Sequence, residues 1–145
     1  MGGQGSLTHF PHGVSSFGIP LVGSSDYTTT GNVFFVDSGS TARGDSAAKG
    51  SSPDTPFATV DFAVGRCTAN NGDIIFVMPG HNESFSGADS VAVDVAGVSI
   101  IGMGKGADKP TFDFDNTAGE LVISAANVYL ENLRFRVSES VKSPC

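Results

Sequence analysis

The sequence predicts an all-β protein built as a short parallel β-helix of about three coils, with a capping helix and an extended N-terminal arm. Three observations predict it. First, Val91-Ala-Val-Asp-Val-Ala-Gly-Val-Ser-Ile-Ile-Gly-Met103 matches Leu121-Val-Ile-Ser-Ala-Ala-Asn-Val-Tyr-Leu-Glu-Asn-Leu133 at an offset of 30 residues. Apolar positions align with apolar positions, and Gly97 and Gly102 align with Asn127 and Asn132. Gly and Asn are the residues that best tolerate a left-handed backbone, so the repeat reads as strand, sharp corner, strand. Second, strand-like runs start near Ile74, Val98 and Val128, and stacked coils of this kind need about three repeats to be stable. Third, the composition suits a turn-dense β protein: 19 glycines, no tryptophan and 39% hydrophobic residues in a chain of 145.

Residues 1–31 read as an extended arm. Pro11 and Pro20 oppose regular pairing, and the segment has neither a helical nor an alternating period. It nevertheless carries Leu7, Phe10, Val14, Phe17, Ile19, Leu21 and Val22, more apolar surface than a disordered tail holds. Two readings are open: the arm packs along its own domain, or it docks on another subunit. Residues 32–145 form the body. Residues 32–37 are a first strand, and 38–54 are an exposed Gly/Ser/Ala-rich loop. Thr55-Pro56 then opens a helix near 56–68, with Thr55 as N-cap and Pro56 in the first turn. Its apolar stripe is Phe57, Val60, Ala63, Val64 and Cys67, and Asn70-Asn71-Gly72 closes it. A short amphipathic helix here is placed to cover the open end of the first coil, since bare sheet edges invite aggregation. Strands follow at 73–78, 90–95, 98–103, 111–115, 120–125 and 128–137, with a glycine-rich loop from Gly102 to Pro110.

The net charge of −7 argues against general binding to nucleic acid or anionic membrane, and Arg134 with Arg136 is too little for a basic patch. No apolar run approaches the roughly 20 residues that span a bilayer. The N-terminus lacks the basic start and apolar stretch of a signal peptide, so the chain is expected to be assembled in a cytosol. Cys67 and Cys145 are too few and too far apart for a zinc site or a disulfide framework.

Candidate chemical groups are sparse. Asp113 and Asp115 lie two apart on one strand, which points both carboxylates outward. Paired carboxylates serve glycoside hydrolysis, but the preferred reading is a solvated strand face with Phe112 and Phe114 turned inward. His81-Asn82-Glu83 holds an acid/base pair or half a metal site, and a polar turn is the preferred reading. Asp37, Asp45 and Asp54 do not match a compact calcium loop. Ser84 and Ser86 sit near His81 without a nucleophile elbow, and Gly102-Met-Gly-Lys-Gly106 lacks phosphate-loop spacing. The sequence therefore predicts no catalytic residues, no metal and no cofactor.

Gly31-Asn-Val-Phe-Phe-Val-Asp-Ser, Pro53-Asp-Thr-Pro-Phe-Ala-Thr-Val-Asp-Phe-Ala-Val and Gly72-Asp-Ile-Ile-Phe-Val-Met-Pro-Gly-His together resemble the opening of right-handed parallel β-helix (pectin-lyase-like) proteins of tailed bacteriophages. Thr8-His-Phe-Pro-His-Gly-Val-Ser-Ser-Phe-Gly-Ile-Pro resembles the N-terminus of phage structural proteins carried on the virion. The resemblance spans about residues 7–137. It implies a capsid decoration (cement) or head-fibre protein, assembled in the host cytoplasm and placed on the outer capsid surface of the virion. It further implies a homotrimer whose partner is the major capsid protein, bound through Leu7, Phe10, Pro11, Val14, Phe17, Ile19, Pro20 and Leu21. A tail-fibre or tailspike adhesin for host glycan is the alternative, and a polysaccharide lyase or hydrolase a third. The chain departs from long fibres and spikes in stopping after about three coils.

Overall fold

A computed structural model describes residues 29–86 and 90–137, together with the backbone of two short strands in the arm. Those two, β1 (Ser15–Ser16) and β2 (Ile19–Pro20), pair antiparallel. Pro20 therefore does take part in regular pairing, against expectation. A two-residue ladder requires few donors, and proline still offers its carbonyl.

The remaining strands are all parallel. β3 (Val33–Val36), β4 (Ile74–Val77), β7 (Ser99–Gly102) and β10 (Tyr129–Glu131) form a four-stranded sheet in the order β10-β7-β4-β3. β5 (Asn82–Phe85), β8 (Thr111–Phe114) and β11 (Arg134–Val137) form a second sheet, ordered β11-β8-β5. β6 (Ser90–Val93) and β9 (Glu120–Ile123) form a third. The chain visits the three sheets in turn and then moves up one strand. The repeat offset fixes the register: Ser99 pairs with Tyr129 and Ser90 with Glu120. The protein is mostly strand in parallel sheets, with little helix.

The inner faces of all three sheets share one core. Ile75, Val77 and Ile100 come from the first sheet, Phe85 and Phe112 from the second, and Val91 and Val93 from the third. Along the second sheet Phe85, Phe112 and Phe135 stack, with ring centroids 6.4 and 5.7 Å apart. Offset stacking of this kind adds to simple burial.

Helix α1 (Val60–Gly65) contributes Val60, Ala63 and Val64 to the core, joined by Phe57, as the apolar stripe predicts. Its boundaries differ from expectation. The N-cap is Thr59, whose hydroxyl accepts the Phe62 N–H, and not Thr55. Phe57 is extended instead: its N–H donates to the Phe35 carbonyl, and its carbonyl accepts from Asp37 N–H. Cross-strand pairing of Phe57 thus displaces the start that Thr55-Pro56 suggests. The C-cap is Arg66, so Asn70-Asn71-Gly72 does not close the helix. Asn70 has φ 56° and forms a corner, its N–H donating to the Ala96 carbonyl next to Gly97. β5 also departs from expectation, because residues 82–85 are a strand where the sequence suggests a polar turn. Alternation is masked there by Asn82, Glu83 and Ser84, and only Phe85 announces a buried face.

Candidate functional site

Of the residues that the resemblance assigns to capsid binding, Leu7, Phe10, Pro11, Val14, Phe17 and Leu21 lie outside the described residues. Ile19 and Pro20 are described only as the backbone of β2. The chemistry that the structure does place is in the body, in three polar clusters.

The first is built around His81, which is buried beside Phe112. Ser38 N–H donates to Nδ1 at 3.0 Å, which assigns the ring proton to Nε2. Nε2–H in turn donates to Glu83 Oε2 at 3.1 Å. The same carboxylate oxygen accepts Val60 N–H at 3.1 Å, at the first turn of α1. The Ser38 hydroxyl accepts Asn82 N–H at 2.8 Å. His81 is thus not in the exposed polar turn the sequence suggests. Both its nitrogens are used in tying the start of the 38–54 loop, β5 and α1 together. A ring enclosed in this way meets no substrate.

The second cluster is Asp113 with Arg136. The expectation of a solvated Asp113 is overturned: its side chain is buried, while Arg136 is largely exposed. They are paired across β8 and β11, in register. Arg136 Nε donates to Oδ1, and Nη2 donates to Oδ2 at 2.7 Å. Hydrogen bonds from Arg136, and then its charge, hold the Asp113 carboxyl below the usual aspartate range against the opposing effect of burial. The outward column of a sheet becomes a buried one when a long cationic side chain lies over it. Asp115 remains exposed, so the two aspartates do not form a matched pair.

The third cluster, which sequence reasoning missed, is Asp73. It is fully enclosed. It accepts Asn32 N–H at 2.7 Å, Thr68 N–H at 2.6 Å and Asn71 Nδ2 at 2.7 Å. Burial by itself raises its pKa, but the donors outweigh it and hold the carboxyl below its ordinary value. The only signal in the sequence is an Asp standing between an Asn-Asn-Gly turn and an apolar strand.

The remaining candidates separate. Asp45 accepts the N–H groups of Ala58 and Thr59 at 2.8 and 3.2 Å, and Asp37 accepts Gly39 N–H at 2.8 Å. Among the described residues no three His, Cys, Asp or Glu side chains come together as a metal cluster. Burial, and then the nearby Asp73 charge, push the Cys67 thiol up to about 12. It therefore stays protonated, with Sγ–H donating to the Ala63 carbonyl at 3.3 Å. Among the described residues no helix is long and apolar enough to cross a membrane. No protein-family model, no curated protein and no solved structure matches this chain.

Proposed function

We propose that this chain is a structural virion protein of a tailed bacteriophage, a capsid decoration (cement) or head-fibre protein. The body is a short right-handed parallel β-helix, and the arm attaches it to the outer surface of the head. The observation that carries the reading is the Thr8–Pro20 segment, with its resemblance to virion-borne phage proteins. The three parallel ladders, entered in turn and paired at a step of 30 residues in two of them, support the β-helix part. The role is mechanical. Ordering about 20 arm residues costs roughly 1–2 kcal/mol each in backbone entropy. Six or seven large apolar side chains, at roughly 25 cal/mol per Å² buried, offset only part of that. A homotrimer seated on a three-fold point of the major capsid protein supplies the rest through avidity. The excess of negative charge keeps a densely decorated particle soluble.

The test is to mix the purified chain with undecorated phage heads and image them by electron microscopy. Density at regular points of the shell, lost with Phe10→Ala and Phe17→Ala together, is the expected result. Bare shells, or decoration unchanged by the double substitution, would remove the arm as an anchor. Protein found at the tail instead would favour the adhesin.

A further inference from the structure

The four-stranded sheet is buried on both faces. Ile75, Val77 and Ile100 face the shared core. Ile74, Phe76, Met78, Ile101 and Met103 form a separate cluster on the opposite face, and each is between 3% and 9% exposed. β4 accordingly reads as the unbroken apolar run Ile74-Ile75-Phe76-Val77, the pattern of a parallel strand covered on both sides. Yet among the described residues the apolar neighbours packed on this outer cluster are Val33 and Phe35, which belong to the same sheet. A single layer of side chains cannot shield itself to this degree. Another segment of the chain must lie over it.

Three segments fall outside the described residues. Residues 87–89 connect β5 to β6, which belong to the other two sheets, and are too short. Residues 138–145 leave β11 in the second sheet, and Val141 is their only large aliphatic side chain. Residues 1–28 carry Phe10, Phe17, Ile19 and Leu21 and are joined to the body at this sheet. Thr29 Oγ1 donates to the Gly72 carbonyl just before β4, and Asn32 N–H is held by Asp73. The Ser15–Ser16 and Ile19–Pro20 ladder adds a second reason, since so short a hairpin has no stability without a surface to pack on.

We propose that residues 7–22 of the same chain dock on the outer face of the four-stranded sheet, over Phe76, Ile101 and Met103. The inference rests on burial and connectivity, not on the phage reading. Its consequence for that reading is a latch: the apolar side chains offered to a capsid are held on the body until the shell competes for them.

Two methionines on the covered face provide the probe, because peroxide oxidation of methionine follows exposure. In the full-length chain, without phage heads, Met78 and Met103 should oxidise about tenfold more slowly than in guanidinium. With Phe10→Ser and Phe17→Ser, most of that protection should be lost while the far-ultraviolet circular dichroism stays that of the wild type. Protection that survives in the folded double variant overturns the proposal. If the double variant unfolds, the second measurement decides. The photo-crosslinker p-benzoylphenylalanine, placed at position 17 of the full chain, should join peptides carrying Met78 or Met103 within one chain. Crosslinks between chains, or to other faces, overturn it. Neither readout depends on attachment, so failure of the capsid reading and failure of the latch are told apart.

Discussion

Asp73 sets the strongest residue-scale expectation. Asp73→Ala orphans donors from Asn32, Thr68 and Asn71, and each hydrogen bond to a charged group is worth about 1.5–3 kcal/mol. The loss expected is roughly 3 kcal/mol, read as a shift of the denaturant midpoint. The sign of the pH dependence follows from the lowered folded pKa. The stabilisation is present in full above the unfolded value of about 3.9 and disappears as pH falls through the lower folded value. Asp73→Asn should therefore be less stable than the wild type at neutral pH, with the two curves converging below about pH 4. Parallel curves from pH 7 to pH 2 would show that the carboxylate charge does not matter there. His81 supports a different substitution. His81→Ala leaves the Ser38 N–H without its acceptor and should lower the melting temperature, whereas His81→Asn offers an amide oxygen near the position of Nδ1 and should recover part of the loss. Equal losses in the two variants would contradict an acceptor role for Nδ1. None of this was legible in the sequence, because a partner 41 or 43 residues away leaves no local pattern.

At the scale of elements, the repeat was legible and its corners only in part. The aligned pair Gly97 and Asn127 does share a left-handed backbone, with φ 76° and 57°. The second aligned pair does not: Asn132 has φ 55°, but Gly102 is not in that region. Gly102 is small for another reason, since a Cβ there would lie 2.2 Å from the Asn132 carbonyl oxygen in the next layer. The Asn132 amide in turn donates to the Gly102 and Gly104 carbonyls at 2.8 and 2.9 Å. One exchange of Gly for Asn thus marks backbone conformation, and the other marks close approach. The two are separable by mutation. Gly97→Asn should be tolerated better than Gly97→Ala, by up to about 1 kcal/mol, because Asn visits the left-handed region more readily. Gly102→Asn should be no better than Gly102→Ala, with both losing about 1–3 kcal/mol to overpacking. Thermal melts of the four variants decide it, and a Gly102→Asn as stable as the wild type would contradict the close-approach account. The helix start failed for a related reason. Local capping signals at Thr55-Pro56 competed with the pairing of Phe57 against β3, and the pairing won.

Over the whole molecule the two ends of the stack are unlike. At the first end α1 and its approach loop satisfy the strand edges: Asp61 accepts Ala92 N–H at 3.0 Å, and the Ser38 hydroxyl accepts Asn82 N–H at 2.8 Å. At the other end β9, β10 and β11 are the outermost strands, and the large exposed apolar residues Val122, Ile123, Tyr129, Phe135 and Val137 all lie on them. The aromatic column crosses this gradient. Phe112 and Phe135 are in register one layer apart, and their exposures are 3% and 47%. The same substitution should therefore cost very different amounts. Phe112→Ala empties an enclosed position and should lose about 3–5 kcal/mol. Phe135→Ala gives up a half-exposed ring and should lose about half of that or less. Denaturant midpoints at matched slopes measure both, at two protein concentrations. If Phe135→Ala is as costly as Phe112→Ala, something covers the last layer in solution. A cost that falls on dilution would then identify the cover as a second copy of the chain.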